Sequence, residues 1–182
     1  MPHLYSSSRQ PRCVLLTLRR LCLAGLVAAT ASAFAADTPA LTVSGKVEHV
    51  LKLDTIAVRA YPADQVVVLT LPGRHPVDKP SVVRGVRLKA FLDKARLVGR
   101  DRTTARKTVV IATGRGGDAV VFSWSELFNS PAGDNVLVLF ERDDKALPGA
   151  EGPLALIAGG DIHLDSRHVK WLARIEVRPV VE

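Results

Sequence analysis

Near its carboxyl end the chain reads GPLALIAGGDIHLDSRHVKWLARIEV, residues 152–177, in which two strand patterns flank a polar loop. Residues 154–158 are all apolar, as is typical of a strand buried on both faces. The Gly-Gly-Asp at 159–161 predicts a tight turn, because glycine adopts positive φ without strain. From Val169 to Val177 apolar and polar side chains alternate, which predicts a strand with one buried face. We therefore expect a donor-rich loop held between two strands, an arrangement that suits a flat, hydrogen-bonding or anionic ligand.

This segment is similar to the C-terminal signature of the molybdopterin-binding domain of the sulfite-oxidase family, and it most resembles the short, single-domain bacterial members. Three earlier pieces resemble the family in the same order: RGVRL at 84–88 opening a helix, SWSEL at 123–127, and 135–140 followed by an Asp-rich turn. The resemblance spans residues 41–177. It implies an α+β fold, mixed and mainly β, of the sulfite-oxidase-like molybdopterin-binding type with a few short helices.

The first 35 residues have the pattern of a signal peptide. Four arginines, two of them adjacent, precede an apolar run that is too short to span a bilayer. Ala33-Phe34-Ala35 forms an A-x-A cleavage motif. The paired arginines partly resemble a twin-arginine signal, but Leu18 and Cys22 depart from it and favour the general secretory route. We therefore expect export to the periplasm, and the resemblance implies a single molybdopterin-oxidoreductase-like, pterin-binding domain at 36–182.

The charge and cysteine content of the chain bear on which partners and which metal ligands can be expected. The leader holds four of the 25 basic residues and none of the 18 acidic ones, so residues 36–182 carry a net charge of only +3. That balance gives no electrostatic reason to expect nucleic acid or an anionic membrane as partner. Both cysteines, Cys13 and Cys22, lie in the leader. The exported chain is therefore expected to contain no disulfide and no thiolate that can bind a metal.

Elsewhere the hydrophobic pattern predicts one domain of strands and short helices. We expect a helix over 86–98 from the helical spacing of its apolar residues, and a second helix that starts after the N-cap Ser123. The basic run 100–107 predicts a solvated surface turn, and Gly114–Gly117 predicts a hairpin turn. The run 65–71 is almost wholly apolar, which predicts a central buried strand. Further strands are expected at 41–50, 55–61, 108–113, 119–122 and 135–141.

The residue that carries the family's chemistry is missing from this chain. In the catalytic members that the resemblance points to, a cysteine thiolate in the loop after the central strand binds molybdenum. The corresponding loop, 72–83, contains no cysteine, and Ser81 is its only hydroxyl. Serine does not replace the thiolate, because molybdenum prefers a soft, deprotonated sulfur and a serine hydroxyl is hardly ionised at neutral pH. We therefore expect the pterin pocket without its redox centre, and no bound metal.

The resemblance places two loops around that pocket, 72–81 and 161–170. A pterin is a flat heterocycle with a dense donor and acceptor edge, so its site needs a stacking surface and fixed polar partners. Asp161 can accept two N–H bonds from the pyrimidinone edge, and Arg167 or Lys170 can bind a carbonyl, a polyol or a phosphate. The candidate ligand-binding residues are Arg74, His75, Asp161, Arg167, His168, Lys170 and Trp171.

Some of these residues have a second interpretation. Trp171 alternates with apolar residues, as a tryptophan that packs in the core does. Lys170 lies on the polar face of the same strand and is also explained by solvation. An extended loop would put four hard or borderline metal ligands on or beside one face. They are Asp161, His163, Asp165 and His168.

Together these features favour a non-catalytic periplasmic protein that binds a reduced pterin or, as second choice, molybdopterin. The chain resembles a family of exported pterin-binding proteins that are similar to the oxidoreductase domain but lack its cysteine, and that work with membrane-bound sensors controlling cyclic-di-GMP enzymes. The expected partner is therefore the periplasmic domain of such a signalling protein, and neither nucleic acid nor membrane insertion is expected. The alternatives are a molybdenum-cofactor oxidoreductase with atypical metal ligation and a scaffold that binds no small molecule.

Overall fold

The computed structural model describes residues 40–73, 79–99 and 101–180, and its strands form two sheets. Strands outweigh helices in this part and the helices are short, so the mixed and mainly β character expected from the sequence is confirmed. The strands are β1 (Leu41–Gly45), β2 (Leu51–Leu53), β3 (Val66–Leu71), β4 (Ser81–Arg87), β5 (Thr108–Gly114), β6 (Ala119–Ser123), β7 (Val136–Arg142), β8 (Lys145–Ala146), β9 (Ala155–Ala158) and β10 (Leu172–Pro179). The helices are α1 (Thr55–Arg59), α2 (Leu88–Ala95), α3 (Arg102–Arg106) and α4 (Trp124–Asn129). The described 3₁₀ turns are Ala63–Gln65, Pro131–Asn135 and Leu164–Arg167.

The first sheet has the strand order β2-β1-β10-β5-β6. Strand β1 runs parallel to β10, with Val43 opposite Ile175, and the other neighbours are antiparallel. This parallel pair joins the first and last described strands in the middle of one sheet. At one edge β5 and β6 form a hairpin, which confirms the turn predicted at Gly114–Gly117.

The second sheet has the order β3-β4-β7-β8, and β9 also pairs with β7. All of its pairings are antiparallel. Strand β7 lies inside the sheet, because it pairs with β4 along one edge and with β8 and β9 along the other. Its first five residues, VLVLF, are all buried, as is typical of a strand covered on both faces. The strand expected at 135–141 is therefore confirmed, and its last residue is Arg142.

Alternate residues of β7 belong to two different apolar clusters. Val136, Val138 and Phe140 join the main core, which also takes in side chains of the first sheet and of α2. Leu137 and Leu139 join a smaller cluster on the opposite face of the second sheet. The smaller cluster is the apolar surface on which the candidate site is built.

Residues 55–61, expected as a strand, instead contain helix α1. The β-branched residues of this run favour a strand locally. However, Asp54 caps the helix by accepting a hydrogen bond from the Ala57 N–H at 2.6 Å, and the helix buries Val58. The strand prediction was wrong because the cap and the buried contact outweigh a weak local propensity.

The helix expected over 86–98 is shorter than predicted, because β4 continues through Arg87 and α2 starts only at Leu88. Strand β4 is paired with β3 on one side and β7 on the other, and the spacing of apolar residues in the sequence does not reveal such distant contacts.

The basic run 100–107, expected as a surface turn, contains α3. Asp101 caps that helix by accepting hydrogen bonds from two backbone N–H groups.

The apolar run expected as a central buried strand is β3, which lies at the edge of the second sheet. Its strand neighbour among the described residues is β4 alone. The Val68 side chain is 56 % exposed. The prediction was wrong because an apolar run reports strand propensity and does not report how many neighbours the strand has.

The segment 152–177 forms two strands around a loop, with shifted boundaries. All four residues of β9 are buried, as expected. Strand β10 begins at Leu172 rather than at Val169, because the backbone turns to φ 51° at Trp171. The loop between the strands contains the 3₁₀ turn Leu164–Arg167.

Helix α4 begins at the predicted N-cap, where Ser123 Oγ accepts a hydrogen bond from the Glu126 N–H at 2.9 Å. The Glu126 side chain does not complete a capping box, because it binds Arg167 in the loop before β10. Across the ranges that the structure describes, no helix has the length and apolar character needed to cross a membrane.

Candidate functional site

A cavity of about 530 Å³, here called the first cavity, opens on the face of the second sheet that carries the smaller apolar cluster. Leu71, Ile157 and Leu164 form its floor, and all three belong to that cluster or pack against it. Its walls carry polar side chains from β4, β7 and the loop before β10. An apolar floor with a few convergent polar groups is the usual form of a small-molecule site.

The two loops that the resemblance places around a pterin both border the first cavity. Residues 72–73 and Lys79 line it from the first loop, and residues 162–165 line it from the second. Two predicted ligand-binding residues of the first loop, Arg74 and His75, lie outside the described residues. The structure therefore brings the described ends of the first loop to the same cavity as the second loop.

His168 and Lys170 are the predicted ligand-binding residues that line the first cavity. The His168 side chain is only 5 % exposed, and its ring lies between two carboxylates. Its Nε2 is 3.9 Å from Glu151 Oε2, and its Nδ1 is 4.0 Å from Asp165 Oδ1. The next residue, Val169, exchanges two backbone hydrogen bonds of 2.8 and 2.9 Å with Leu156 of β9, which fixes the backbone beside His168.

A buried ion pair between Arg142 and Glu151 forms part of the cavity wall. Arg142 Nη2 donates to both Glu151 oxygens at 3.0 and 3.1 Å, and Nη1 donates to Ser81 Oγ at 2.6 Å. The two side chains are 18 % and 11 % exposed. These bonds tie the end of β7 to the start of β4 and to the turn before β9. Each charge depends on the other, because a buried charge without its partner is costly.

Asp161 and Arg167, both predicted to contact the ligand, are bound to each other. Arg167 donates to the Asp161 oxygens through Nε at 2.7 Å and Nη2 at 2.5 Å, and to Glu126 Oε1 through Nη1 at 2.7 Å. The hydrogen bonds between them hold the pKa of Asp161 below its usual value and raise the pKa of Arg167. The guanidinium also lies 4.6 Å from the centre of the Phe122 ring. Both residues are described and neither lines the first cavity, so their observed role is to anchor the loop to α4.

Trp171, the last predicted ligand-binding residue, is described but is not part of the cavity lining. It is 38 % exposed, so it is not a core residue either. Its indole packs on Gly152, where an added Cβ would come within 2.6 Å of the ring, and the Arg115 guanidinium lies 5.6 Å from the ring centre. Gly152 has φ 80°, so this position needs glycine both for its backbone and for the approach of the indole.

Several polar residues of the lining were not among the predicted ligand-binding residues. They are Lys79, Ser81, Arg142, Glu151, His163 and Asp165. Arg142 is the second residue after the buried run VLVLF, and no local pattern in the sequence marks it as part of a site. Its partners could not be read from any local pattern, since Ser81 is 61 residues away and Glu151 lies beyond an intervening turn.

Metal chemistry finds little support in the donor set. Among the residues that the structure describes, no group of three or more His, Cys, Asp or Glu side chains could hold a metal ion. In the alternative metal set, Asp161 is engaged by Arg167 instead. The polar side chains of the described lining are nitrogen and oxygen donors, and loop 72–83 supplies no sulfur. These residues do not fit a molybdenum site that needs a thiolate, but they fit the hydrogen-bonding edge of a heterocycle.

Known proteins add no family assignment to this geometry. No protein-family model matches the chain, and no curated protein sequence matches it. The function of the first cavity is therefore argued from its residues.

Proposed function

We propose that this chain is an exported, non-catalytic pterin-binding protein with a sulfite-oxidase-like fold, and that a reduced pterin binds in the first cavity. The observation that carries the proposal is that the described ends of loop 72–81 and residues of loop 161–170 line one cavity of about 530 Å³. The mixed, mainly β fold and the leader pattern of the first 35 residues agree with it. The volume lies in the range of ordinary ligand pockets.

The lining offers the features that a pterin needs. Leu71 and Ile157 supply apolar surface beneath a flat ring. The Glu151 carboxylate has acceptor capacity beyond its ion pair and can receive the N–H groups of the pyrimidinone edge. Lys79 and Lys170 are exposed cations that can bind a ring carbonyl, a polyol or a phosphate. In this arrangement Glu151 takes the role that the sequence suggested for Asp161.

The proposed role is sensing rather than redox catalysis, because the loop that carries a thiolate in the catalytic relatives has none here. The protein would report the bound pterin to the periplasmic domain of a membrane-bound protein that controls cyclic-di-GMP. This part of the proposal is supported by the resemblance and by the leader pattern.

Identification of the bound molecule tests the proposal directly. Gently purified protein is expected to release a reduced pterin, identified by mass and fluorescence, in stoichiometric amount and without molybdenum. Protein that carries no pterin and shows no thermal shift with any reduced pterin contradicts the proposal. Stoichiometric molybdenum would indicate the oxidoreductase instead.

Variants of the lining test the site. Glu151→Ala and Lys170→Ala should each weaken pterin binding by about 1–3 kcal/mol, the cost of losing a charged hydrogen-bond partner in a pocket. Arg174→Ala is the matched control, because Arg174 is an exposed cation of β10 outside the described lining. Fluorescence titration measures all three affinities. Equal affinities in three folded variants would place the pterin elsewhere.

A further inference from the structure

Strand β3 leaves one edge of the second sheet open. It pairs with β4 alone among the described strands, and its residues, VVVLTL, include no charge and no proline. Natural edge strands are usually blunted by charge, proline, short length or a covering element, because an open edge templates pairing with another chain. The edges at β2 and β8 follow that rule, since they have three and two residues and each includes a lysine. Strand β3 does not follow it.

A second cavity, of about 540 Å³, lies beside β3 on the other face of the second sheet. Its apolar lining includes Val66, Val68 and Phe140, and Val68 is 56 % exposed. Leu71, which lines the first cavity, is an odd number of residues from Val66 and Val68 along β3. Because successive side chains of a strand point to opposite faces, Val66 and Val68 face away from the first cavity. An extended segment laid along β3 would therefore place an apolar side chain in the second cavity.

The second cavity carries an excess of positive charge. Arg84 is neutralised by Glu141 at 3.0 Å. Arg59 donates to the Phe140 carbonyl oxygen at 3.0 Å and lies 5.4 Å from the centre of the Phe140 ring. Within the described part of the chain, Arg59 forms no ion pair with a carboxylate. An uncompensated cation beside an apolar cavity favours a partner segment with acidic side chains.

We propose that β3 is the edge on which the partner docks. An extended segment of the partner, with alternating apolar and acidic side chains, adds as a new strand along β3. One apolar side chain enters the second cavity and a carboxylate meets Arg59. In such strand addition the main-chain hydrogen bonds give affinity and the pocket gives specificity. The inference rests on the proposed function for the existence of a partner, and it adds the surface and the chemistry of the docking segment.

Strand β6 provides a matched comparison within the same molecule. It is also an edge strand without charged residues, AVVFS, and Val121 is 55 % exposed, close to the value for Val68. It belongs to the first sheet, whereas the second cavity lies beside β3. Comparing Val68 with Val121 therefore separates the effect of the cavity from the effect of an open edge.

The test places a photo-reactive amino acid at Val68, or at Val121 as the control, in the full chain inside its native cells. Adducts are identified by mass spectrometry. Val68 is expected to yield a peptide of alternating apolar and acidic residues, and Val121 to yield at most about a tenth as much. Arg59→Glu should lower the Val68 adduct about tenfold. Arg102→Glu, which reverses an exposed cation on α3, should leave it unchanged.

Several outcomes would overturn the docking edge: equal adducts from the two positions, an adduct with a second copy or with the chain's own residues, a peptide without acidic residues, or no adduct. Pterin content is measured on the same preparations. Bound pterin without a Val68 adduct overturns this inference and leaves pterin binding standing. A Val68 adduct on a chain that binds no pterin overturns pterin binding and leaves the docking edge standing.

Discussion

At the scale of single residues, the Arg142–Glu151 pair is the interaction in the first cavity whose loss is easiest to measure. Glu151→Gln leaves Arg142 charged and largely buried without its carboxylate, so we expect the free energy of unfolding to fall by about 2 kcal/mol. Glu48→Gln is the control, because Glu48 pairs with Arg96 at 3.4 Å on the surface, where the side chains are 41 % and 52 % exposed. That change should cost less than about 0.5 kcal/mol by urea denaturation.

The double variant Glu151→Gln, Arg142→Met separates charge from packing. It removes both members of the pair, and replacing a buried pair by apolar groups is often close to neutral. We therefore expect it to be more stable than Glu151→Gln alone. If the double variant is the less stable of the two, the loss arises from packing around Arg142 rather than from its unpaired charge.

Asp161 gives the second loop a pH-dependent anchor. Hydrogen bonds from Arg167 lower the pKa of Asp161 in the folded chain. Its contribution to stability is therefore complete above the unfolded value of about 4, and it is lost as the pH falls through the lower folded value. We expect Asp161→Asn to cost about 1–2 kcal/mol at pH 7 and progressively less as the solution is acidified below pH 4.

Denaturant unfolding from pH 7 into acid measures this effect. Asp118→Asn, at an exposed position in the β5–β6 turn, is the control and should change the free energy of unfolding by less than about 0.5 kcal/mol. A constant loss for Asp161→Asn at every pH would mean that the shape of the side chain, and not its charge, holds the loop.

At the scale of elements, α4 and the 3₁₀ turn that follows it meet at Gly133. A Cβ at Gly133 would overlap the Leu127 carbonyl oxygen, which belongs to the helix backbone. Because α4 carries Glu126, which binds Arg167, a displacement of this helix reaches the loop beside the first cavity. We expect Gly133→Ala to destabilise the fold by about 2–3 kcal/mol in urea unfolding.

Gly149→Ala is the matched control, because no heavy atom lies within 4 Å of the added Cβ. It should change the free energy of unfolding by less than about 0.5 kcal/mol. Equal stabilities for the two variants would mean that the end of α4 moves aside at little cost.

Elements that depend on residues close together in the sequence could be predicted from it. Elements that depend on contacts with distant parts of the chain could not. The cap at Ser123 and the hairpin turn at Gly114–Gly117 depend on residues within a few positions, and both are present. The strand expected at 55–61 and the helix expected at 86–98 were assigned from propensity and spacing. Their outcomes depend on packing against the main core and on pairing of β4 with β3 and β7, which come from distant parts of the chain.

The same limit applies to the candidate site at the scale of the whole molecule. His168 and Lys170 could be predicted to lie beside a ligand pocket because they belong to the same donor-rich loop as residues 162–165, which also line the first cavity. Arg142 and Ser81 could not be paired from the sequence, since the ladder between β4 and β7 is what brings them together. A motif search finds groups that are close in sequence, and the wall of this cavity is assembled across the sheet.

The two cavities share three strands, which makes communication between them testable. Strand β4 contributes Ser81 to the first cavity and Arg84 to the second, and β7 contributes Arg142 and Glu141 in the same way. If a bound pterin favours one arrangement of these strands, it changes the affinity for the partner by some factor. Because such coupling is reciprocal, the bound partner must change the affinity for pterin by the same factor. We expect saturating reduced pterin to change the yield of the Val68 adduct at least about fivefold.

The yield is measured over a pterin titration in the chain that carries the photo-reactive amino acid at position 68, and in two further variants of that chain. In Glu151→Ala the midpoint should move to higher pterin concentration by the same factor as the loss of pterin affinity, because occupancy of the first cavity drives the response. In Arg174→Ala the midpoint should not move, since Arg174 lies outside the described lining. A yield that stays constant up to saturating pterin would mean that the three shared strands do not transmit binding, even where each face holds its own ligand.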